Sequence, residues 1–159
     1  KDILMKTVKL GQTTKILLKE GDKLFSQGDE GDLAYMIVYG HLDVLVDDKK
    51  KGIMRDGELF GELALLLNQK RSATIVAGTA TELVSISKDS LNELVSSGSE
   101  ATKNLINQMC EELSKRSEFQ KSPCSKKELD EILFNENKII TKLAQQIYYR
   151  LEKSTNHLD

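Results

Sequence analysis

Short apolar or alternating segments fill the chain from Thr14 to about Ser87, and glycine and aspartate separate them at close intervals. These segments are rich in Ile, Val, Leu and Tyr, a composition and length typical of strands bounded by turns. Leu42, Val44 and Val46 occupy every second position of one segment, which is the period of a strand that buries one face. The pattern predicts a sandwich or barrel of strands in this half of the chain.

A helical period replaces the strand pattern at Lys88. The stretch SKDSLNELV predicts a short capped helix that ends at SSGS. Further on, Leu105, Met109 and Leu113 follow one another at i+4 steps, which predicts one apolar stripe on a long amphipathic helix. The only proline, Pro123, interrupts this helix.

A second amphipathic helix is predicted after the proline. Its start, SKKE at Ser125, is a Ser-x-x-Glu capping box, and one apolar face continues as a single helix through Leu151. The predicted fold is therefore α+β, a sandwich or barrel of strands followed by C-terminal amphipathic helices. We expect residues 1–97 to form the strand domain with a short flanking helix, and residues 98–159 to form a C-terminal helical segment.

The composition is that of a soluble globular protein, with 39% hydrophobic residues, 30% charged residues and a formal net charge of −2. No general polyanion-binding surface is expected, and no apolar run approaches the ~20 residues of a membrane-spanning helix. Residues 1–10 lack the apolar core of a signal peptide. Cys110 and Cys124 lie far apart without metal-ligand spacing, so neither a disulfide framework nor a zinc site is indicated. A cytoplasmic location follows as the simplest prediction.

The segment FGELALLLNQKRSATIVA, residues 60–77, places Glu62 and Arg71 inside an apolar run. A buried charge costs several kcal/mol unless it is paired, so a structural ion pair is the first explanation. The neighbouring residues favour a second one. Gly57 and Gly61 lead into ELALLL, a predicted short helix whose first amides have no partner within the helix. Free amides and the helix dipole favour a bound anion.

The residues after this helix add to the anion prediction. Arg71 supplies a cation, and the small residues Ser72 and Ala73 allow a ligand to approach the backbone, which suits a phosphate. A carboxylate beside a phosphate repels it unless it faces a hydroxyl, so Glu62 would accept a hydrogen bond from a sugar. Phosphate and sugar together indicate a nucleotide.

The same segment closely resembles the phosphate-binding cassette of cyclic-nucleotide-binding domains, as found in protein kinase A regulatory subunits, catabolite activator proteins and cyclic-nucleotide-gated channels. The resemblance extends upstream through LLKEGDKLFSQGDEGDLAYMIVYGHLDVLV and covers about residues 14–95. It implies that the strands of residues 1–97 form an antiparallel β-roll or jelly-roll barrel, and that residues 98–159 form a helical lid or dimerisation segment. It implies that Glu62 accepts from the ribose 2′-hydroxyl and that Arg71 pairs with the cyclic phosphate. Ser72 follows the arginine as in activators that prefer cAMP, whereas a threonine there is associated with cGMP. The expected ligand is cAMP, with cGMP as the alternative, and no other cofactor is implied.

The resemblance also implies the remaining ligand contacts. Backbone amides would hold the other phosphate oxygens, and an apolar side chain of the β-roll would contact the purine. The stretch INQMCEELSKRSE resembles the activator helix that packs on its twin in a homodimer and caps the base; the alternative for its arginine is a solvated charge near a helix end. The implied ligand-binding residues are Gly61, Glu62, Leu63, Ala64, Arg71, Ser72, Ala73, Val44, Arg116 and Ser117.

Other candidate sites have simpler explanations. GDEGD lacks the later ligands of a calcium loop, so we interpret it as a turn. Lys49–Lys51 follow two aspartates at a predicted hairpin tip, where a solvated loop is expected. His41 and His157 have no partner at catalytic spacing, and no nucleophile and base pair is visible. An enzyme is therefore not expected.

Three functions fit these observations. The first is a regulatory domain that binds a cyclic nucleotide and transmits occupancy through its C-terminal helices. The second is a transcription regulator of the activator type without its DNA-binding domain, since no concentrated basic face follows the proline and nucleic-acid binding is not expected. The third is an oligomerisation module with an unoccupied cassette. The helical stripe predicts a homodimer, and no downstream effector is implied.

Overall fold

The computed structural model describes residues 13–115 and 121–156. Strands occupy the first part of the described chain: β1 Thr13–Leu18, β2 Lys23–Phe25, β3 Leu33–Tyr39, β4 His41–Val46, β5 Lys49–Arg55, β6 Leu59–Phe60, β7 Thr74–Ala77 and β8 Thr81–Ser87. The helices are α1 Glu62–Leu66, between β6 and β7, followed by α2 Lys88–Ser96, α3 Glu100–Ser114, α4 Lys126–Ile132 and α5 Lys138–Asn156.

The strands form two antiparallel sheets of four strands each. One sheet has the order β1-β8-β3-β6 and the other the order β2-β7-β4-β5. Strands that are distant in sequence therefore lie side by side, as in the pairing of Thr13 with Ile86. The α+β prediction of an antiparallel β-roll followed by helices is confirmed.

An apolar core joins the two sheets. Ile37 of β3, Leu42 of β4 and Leu83 of β8 are each 0% exposed and belong to one packed cluster. Burying a side chain of this size contributes about 1.5–3 kcal/mol, so such positions hold the sheets together. Val44 is partly buried and packs against the same cluster, as the alternation in β4 predicted.

The hairpin between β4 and β5 is tighter than predicted. Asp47 and Asp48 form its tip with φ of 52° and 64°, the left-handed conformation that two-residue hairpin turns require. The Gln27 side chain holds the tip through a 2.8 Å hydrogen bond from the Asp47 amide. Lys49–Lys51 were predicted to lie in a solvated loop, and this was wrong: they are exposed residues of β5. Asp47 and Asp48 alone complete the turn, so the three lysines belong to strand β5.

The described chain forms two compact units, one ending at Leu91 and the other beginning at Asn92. Helices α3 and α5 pack against each other in the second unit. The apolar stripe of Leu105, Met109 and Leu113 is buried within the single chain, with exposures of 3%, 0% and 7%. The stripe that suggested a homodimer is thus accounted for without one, and the dimer stays a prediction.

The second long helix was predicted to run unbroken from Ser125 through Leu151, and this was wrong. The capping box at Ser125 is present, but α4 ends at Ile132 and α5 begins only at Lys138. The interruption has a local cause, because the Asn137 side chain accepts a 2.9 Å hydrogen bond from the Ile140 amide and so caps a new helix.

Glu136, in the same interruption, is turned toward the start of α3. Its carboxylate accepts a 2.6 Å hydrogen bond from the Thr102 hydroxyl and a 3.1 Å bond from the Ser99 amide. These bonds tie the α4–α5 connection to the first turn of α3. Over residues 13–115 and 121–156, no helix combines the length and the apolar character needed to cross a membrane.

Candidate functional site

The site predicted from the sequence begins where β6 passes into α1. Gly61 is the residue before the helix and has φ of 79°, a left-handed conformation that favours glycine. It brings no capping side chain to the first amides of α1. Glu62 opens the helix and is 5% exposed, and Ala64, two residues further along, is also buried. The predicted short helix is therefore confirmed, with its acidic residue at the start.

The second segment of the site is Arg71, which lies against the GDEGD loop. Its amide donates to the Asp29 carbonyl at 2.8 Å, and its own carbonyl accepts from the Gly28 amide at 2.8 Å. Both backbone groups of Arg71 are thus fixed by a loop more than 40 residues earlier in the chain. This pairing sets where the side chain begins.

The Arg71 side chain is buried at 5% exposure and reaches back to α1. Nη1 donates to the Gly61 carbonyl at 3.1 Å, and Nη2 donates to the Leu33 carbonyl at 2.6 Å. Among the described residues, Nε is buried and has no hydrogen-bond acceptor. A buried guanidinium donor without an acceptor is energetically costly.

Aromatic rings lie beside the guanidinium. The carbon Cζ of Arg71 is 4.2 Å from the centre of the Phe25 ring and 5.8 Å from that of Tyr35. Tyr35 in turn stacks on Phe60, with 5.3 Å between ring centres. We call Phe25, Tyr35 and Phe60 the aromatic cluster. Its faces offer the guanidinium a cation–π contact in place of water.

Two glycines leave room for the guanidinium. A Cβ on Gly31 would lie 2.6 Å from Cζ and 2.6 Å from Nε of Arg71, and a Cβ on Gly61 would lie 2.7 Å from Nη1. Neither distance is compatible with the observed position of the side chain. The absence of side chains at these two positions therefore shapes a slot for Arg71.

The charges around Arg71 partly oppose the effect of its burial. Burial lowers the pKa of the guanidinium, while Tyr35, Asp32, Glu62 and Asp29 act in the opposite direction. The pKa of the Tyr35 phenol is itself raised by burial, so this group is uncharged at neutral pH. The carboxylates of Asp29, Asp32 and Glu62 therefore supply the compensating negative charge around Arg71.

The structure brings together most of the residues predicted for the site. Gly61, Glu62, Leu63 and Ala64 are consecutive at the start of α1, and the Arg71 side chain bonds to the first of them. Ser72 is exposed and Ala73 half-buried immediately before β7. Val44 lies on β4 opposite Ile75 of β7. Arg116 and Ser117 lie outside the described residues.

The GDEGD loop is the part of the site that the sequence interpretation missed. It was assigned to a turn, yet Asp29, Gly31 and Asp32 surround Arg71. These contacts are non-local, so periodicity could not reveal them. One signal was available: a buried arginine needs negative partners, and this loop has two aspartates beside its glycines. Within the described ranges, no group of three or more His, Cys, Asp or Glu could hold a metal ion.

Comparisons with known proteins match the part of the chain that holds these residues. A family model described as cyclic nucleotide-binding domain matches residues 15–97. The chain is 35% identical over 94 residues to a cAMP-dependent protein kinase regulatory subunit of Eremothecium gossypii. This match covers 59% of this chain and 20% of that protein. It is 46% identical over 61 residues to a cGMP-dependent protein kinase of Toxoplasma gondii, covering 38% of this chain and 6% of that protein.

A similar solved structure is that of PKAR CBD2 bound to Sp-2Cl-cAMPS. Its TM-score is 0.53 at 26% identity, and the match covers 65% of this chain and 68% of that one. The chain spans a fifth or less of the length of the two curated relatives named above.

Proposed function

Because the chain belongs to the cyclic nucleotide-binding domain family, we propose that it is a regulatory module that binds a cyclic nucleotide in its two-sheet unit. The ligand proposed is cAMP, with cGMP as the alternative. One observation carries the proposal: Arg71 is buried beside the start of α1, and its Nε has no acceptor among the described residues. The module binds and signals, and no catalytic role is proposed.

The phosphate is assigned to Arg71 and nearby amides. Nη1 and Nη2 each donate one hydrogen bond to a backbone carbonyl, whereas Nε has no acceptor among the described residues. We therefore assign Nε to a phosphate oxygen, and the positive charge of the guanidinium assists the bond. The amides of Leu63 and Ala64 begin a helix without a side-chain cap, which favours a negative group. Those of Ser72 and Ala73 complete the proposed set.

The sugar is assigned to Glu62. A carboxylate accepts hydrogen bonds only, so it recognises a hydroxyl and repels a phosphate oxygen. Its burial at the first position of α1 places this acceptor next to the proposed phosphate site. In this proposal Glu62 binds the sugar and Arg71 binds the phosphate of the same nucleotide.

The base is assigned to the apolar surface near Val44. Ser72 leaves the choice between cAMP and cGMP open, and the curated relatives include kinases named for each of the two nucleotides. We propose cAMP as the preferred ligand. The proposed helical cap by Arg116 and Ser117 involves residues outside the described part of the chain. Cytosolic location belongs to the same proposal, and Cys110 and Cys124 are free thiols.

Isothermal titration of the protein with cAMP, cGMP and 5′-AMP tests the proposal. We expect a cyclic nucleotide to bind and the acyclic one to bind more weakly. Arg71→Ala should reduce the affinity by about 10- to 150-fold, since a hydrogen bond to a charged group contributes about 1.5–3 kcal/mol. Arg71→Lys is the matched control that keeps the charge but loses the planar fork, and its affinity should lie in between.

Two results would contradict the proposal. If neither cyclic nucleotide produces heat or raises the melting temperature, the chain is not a nucleotide-binding module. If both bind but Arg71→Ala binds like the wild type, the phosphate lies elsewhere. A melting curve of each variant separates loss of binding from loss of folding.

Transmission of the signal requires that the ligand favour one arrangement of the C-terminal helices over another. A ligand shifts such an equilibrium only by its differential affinity for the two arrangements. Hydrogen exchange of α3, α4 and α5 with and without cAMP measures this directly. Unchanged exchange in all three helices at saturating ligand would remove the transmission part and leave the binding part intact.

A further inference from the structure

We propose that Phe25 is a positioning residue of the nucleotide site, whose ring holds the Arg71 guanidinium in the orientation that leaves Nε available to an anion. The inference rests on the proposed function and adds to it a residue from outside the segment 60–77. Phe25 ends β2, which belongs to the other sheet from β6. Its role is to act through Arg71.

The geometry singles out Phe25 among the aromatic residues near the charge. Its ring centre is 4.2 Å from Cζ of Arg71, against 5.8 Å for Tyr35. A cation–π contact falls off with distance and needs the ring within about 6 Å, so Phe25 provides the stronger of the two. The contact is also partly desolvated, because Arg71 is buried.

The ring itself is held in place by its neighbours. Phe25 is half-buried, and its ring centre lies 6.0 Å from that of Tyr35 and 6.3 Å from that of Phe60. Backbone pairing of Phe25 with Ile75 of β7 fixes its Cα near the strand that follows Arg71. A fixed ring can restrict a flexible side chain.

Arg71 needs such a restraint because several acceptors compete for its guanidinium. The carbonyls of Gly61 and Leu33 take Nη1 and Nη2, while the carboxylates of Asp32 and Glu62 attract the same charge. Contact with the Phe25 ring restrains the guanidinium and so selects among these partners. The ordering of a long side chain is then completed on folding and does not have to accompany binding.

Two measurements on the full chain test the inference. In the ligand-free protein, we expect the Arg71 Nε–H resonance in proton–nitrogen NMR to be sharp in the wild type and in Phe25→Tyr, and broadened in Phe25→Leu. Titration with cAMP should show Phe25→Leu binding about two- to tenfold more weakly, the range expected when one long side chain must be ordered on binding. Phe25→Tyr keeps the ring face and should bind like the wild type.

Ile37→Val is the matched control. Ile37 is fully buried in the core cluster against which Phe25 packs, and none of the contacts described for the Arg71 guanidinium involves it. The variant should lower the melting temperature while leaving the resonance and the affinity unchanged. Phe25→Met, with a side chain of similar length, serves if Phe25→Leu does not fold.

The outcomes separate the inference from the proposed function. A sharp Nε–H resonance and unchanged affinity in Phe25→Leu, with nucleotide bound normally by the wild type, would overturn the role of Phe25. A wild type that binds no cyclic nucleotide would overturn the proposed function. In that case the resonance still decides whether Phe25 orders Arg71.

Discussion

Gly31→Ala tests the slot around Arg71 with a single methyl group. The backbone of Gly31 lies outside the left-handed region, so alanine can adopt its conformation. The new Cβ would lie 2.6 Å from Cζ of Arg71, whereas ordinary contact begins at 3.4 Å. The guanidinium must therefore move by roughly the difference, about 0.8 Å, because it is the flexible end of a side chain and the loop backbone is not.

The displacement has a cost that follows from the bonds it disturbs. The 2.6 Å bond to the Leu33 carbonyl and the 3.1 Å bond to the Gly61 carbonyl cannot both keep their geometry. Loss of one hydrogen bond to a charged group costs about 1.5–3 kcal/mol, part of which is recovered if the guanidinium reaches water. We expect a lower free energy of unfolding by about 1–2 kcal/mol and an affinity for cAMP reduced by at least about tenfold.

Thermal melts and calorimetric titration measure the two effects separately. Gly52→Ala is the control, because a Cβ on Gly52 meets nothing within 4 Å and its backbone also lies outside the left-handed region. It should melt and bind like the wild type or be slightly more stable. If Gly31→Ala behaves like Gly52→Ala in both assays, the Arg71 side chain does not need the space that Gly31 leaves, and the slot has no functional meaning.

Three further predictions concern the other charges and the assembly. Glu62→Gln should narrow the preference for cAMP over its 2′-deoxy analogue, measured by titrating both ligands, because the acceptor loses its charge. Burial alone raises the pKa of the Glu136 carboxyl, but hydrogen bonds from Thr102 and Ser99 outweigh it, so the net pKa is lowered from 4.5. Its stabilisation should be present above about pH 4.5 and be lost as the pH falls through the folded pKa; thermal melts of wild type and Glu136→Gln should converge in acid. Sedimentation of a monomer at high concentration would remove the homodimer and leave nucleotide binding untouched.

Local patterns predicted the parts of the fold that depend on neighbouring residues. In β4 Leu42 is buried and Val44 packs against the core, but the other residues of the strand are also partly buried, so the predicted alternation is only partly observed. The short helix after Gly61 and the capping box at Ser125 each involve residues within a few positions, and both are observed. Their physical causes are a buried strand face and unpaired helix amides, and both depend on residues that are close together in the sequence. The number and spacing of such strands predicted a sandwich or barrel, and two four-stranded sheets are observed.

The errors arose where a more distant or subtler contact decides the structure. The break between α4 and α5 depends on the Asn137 side chain, which caps α5. The apolar residues keep a helical period across this break, so the sequence pattern does not reveal it. The loop around Gly31 binds Arg71 across a separation that no sequence window spans. The aromatic face of Phe25 is likewise brought to the site only by the pairing of β2 with β7.

The contacts of Arg71 also bear on how the chain acquires its site. They connect positions 38 residues apart at Leu33 and 10 residues apart at Gly61, so the slot is closed only after strands of both sheets have met. Contacts between distant positions form late because closing long loops costs entropy first. A nucleotide bound there would therefore slow the unfolding of the folded domain and leave its folding rate nearly unchanged.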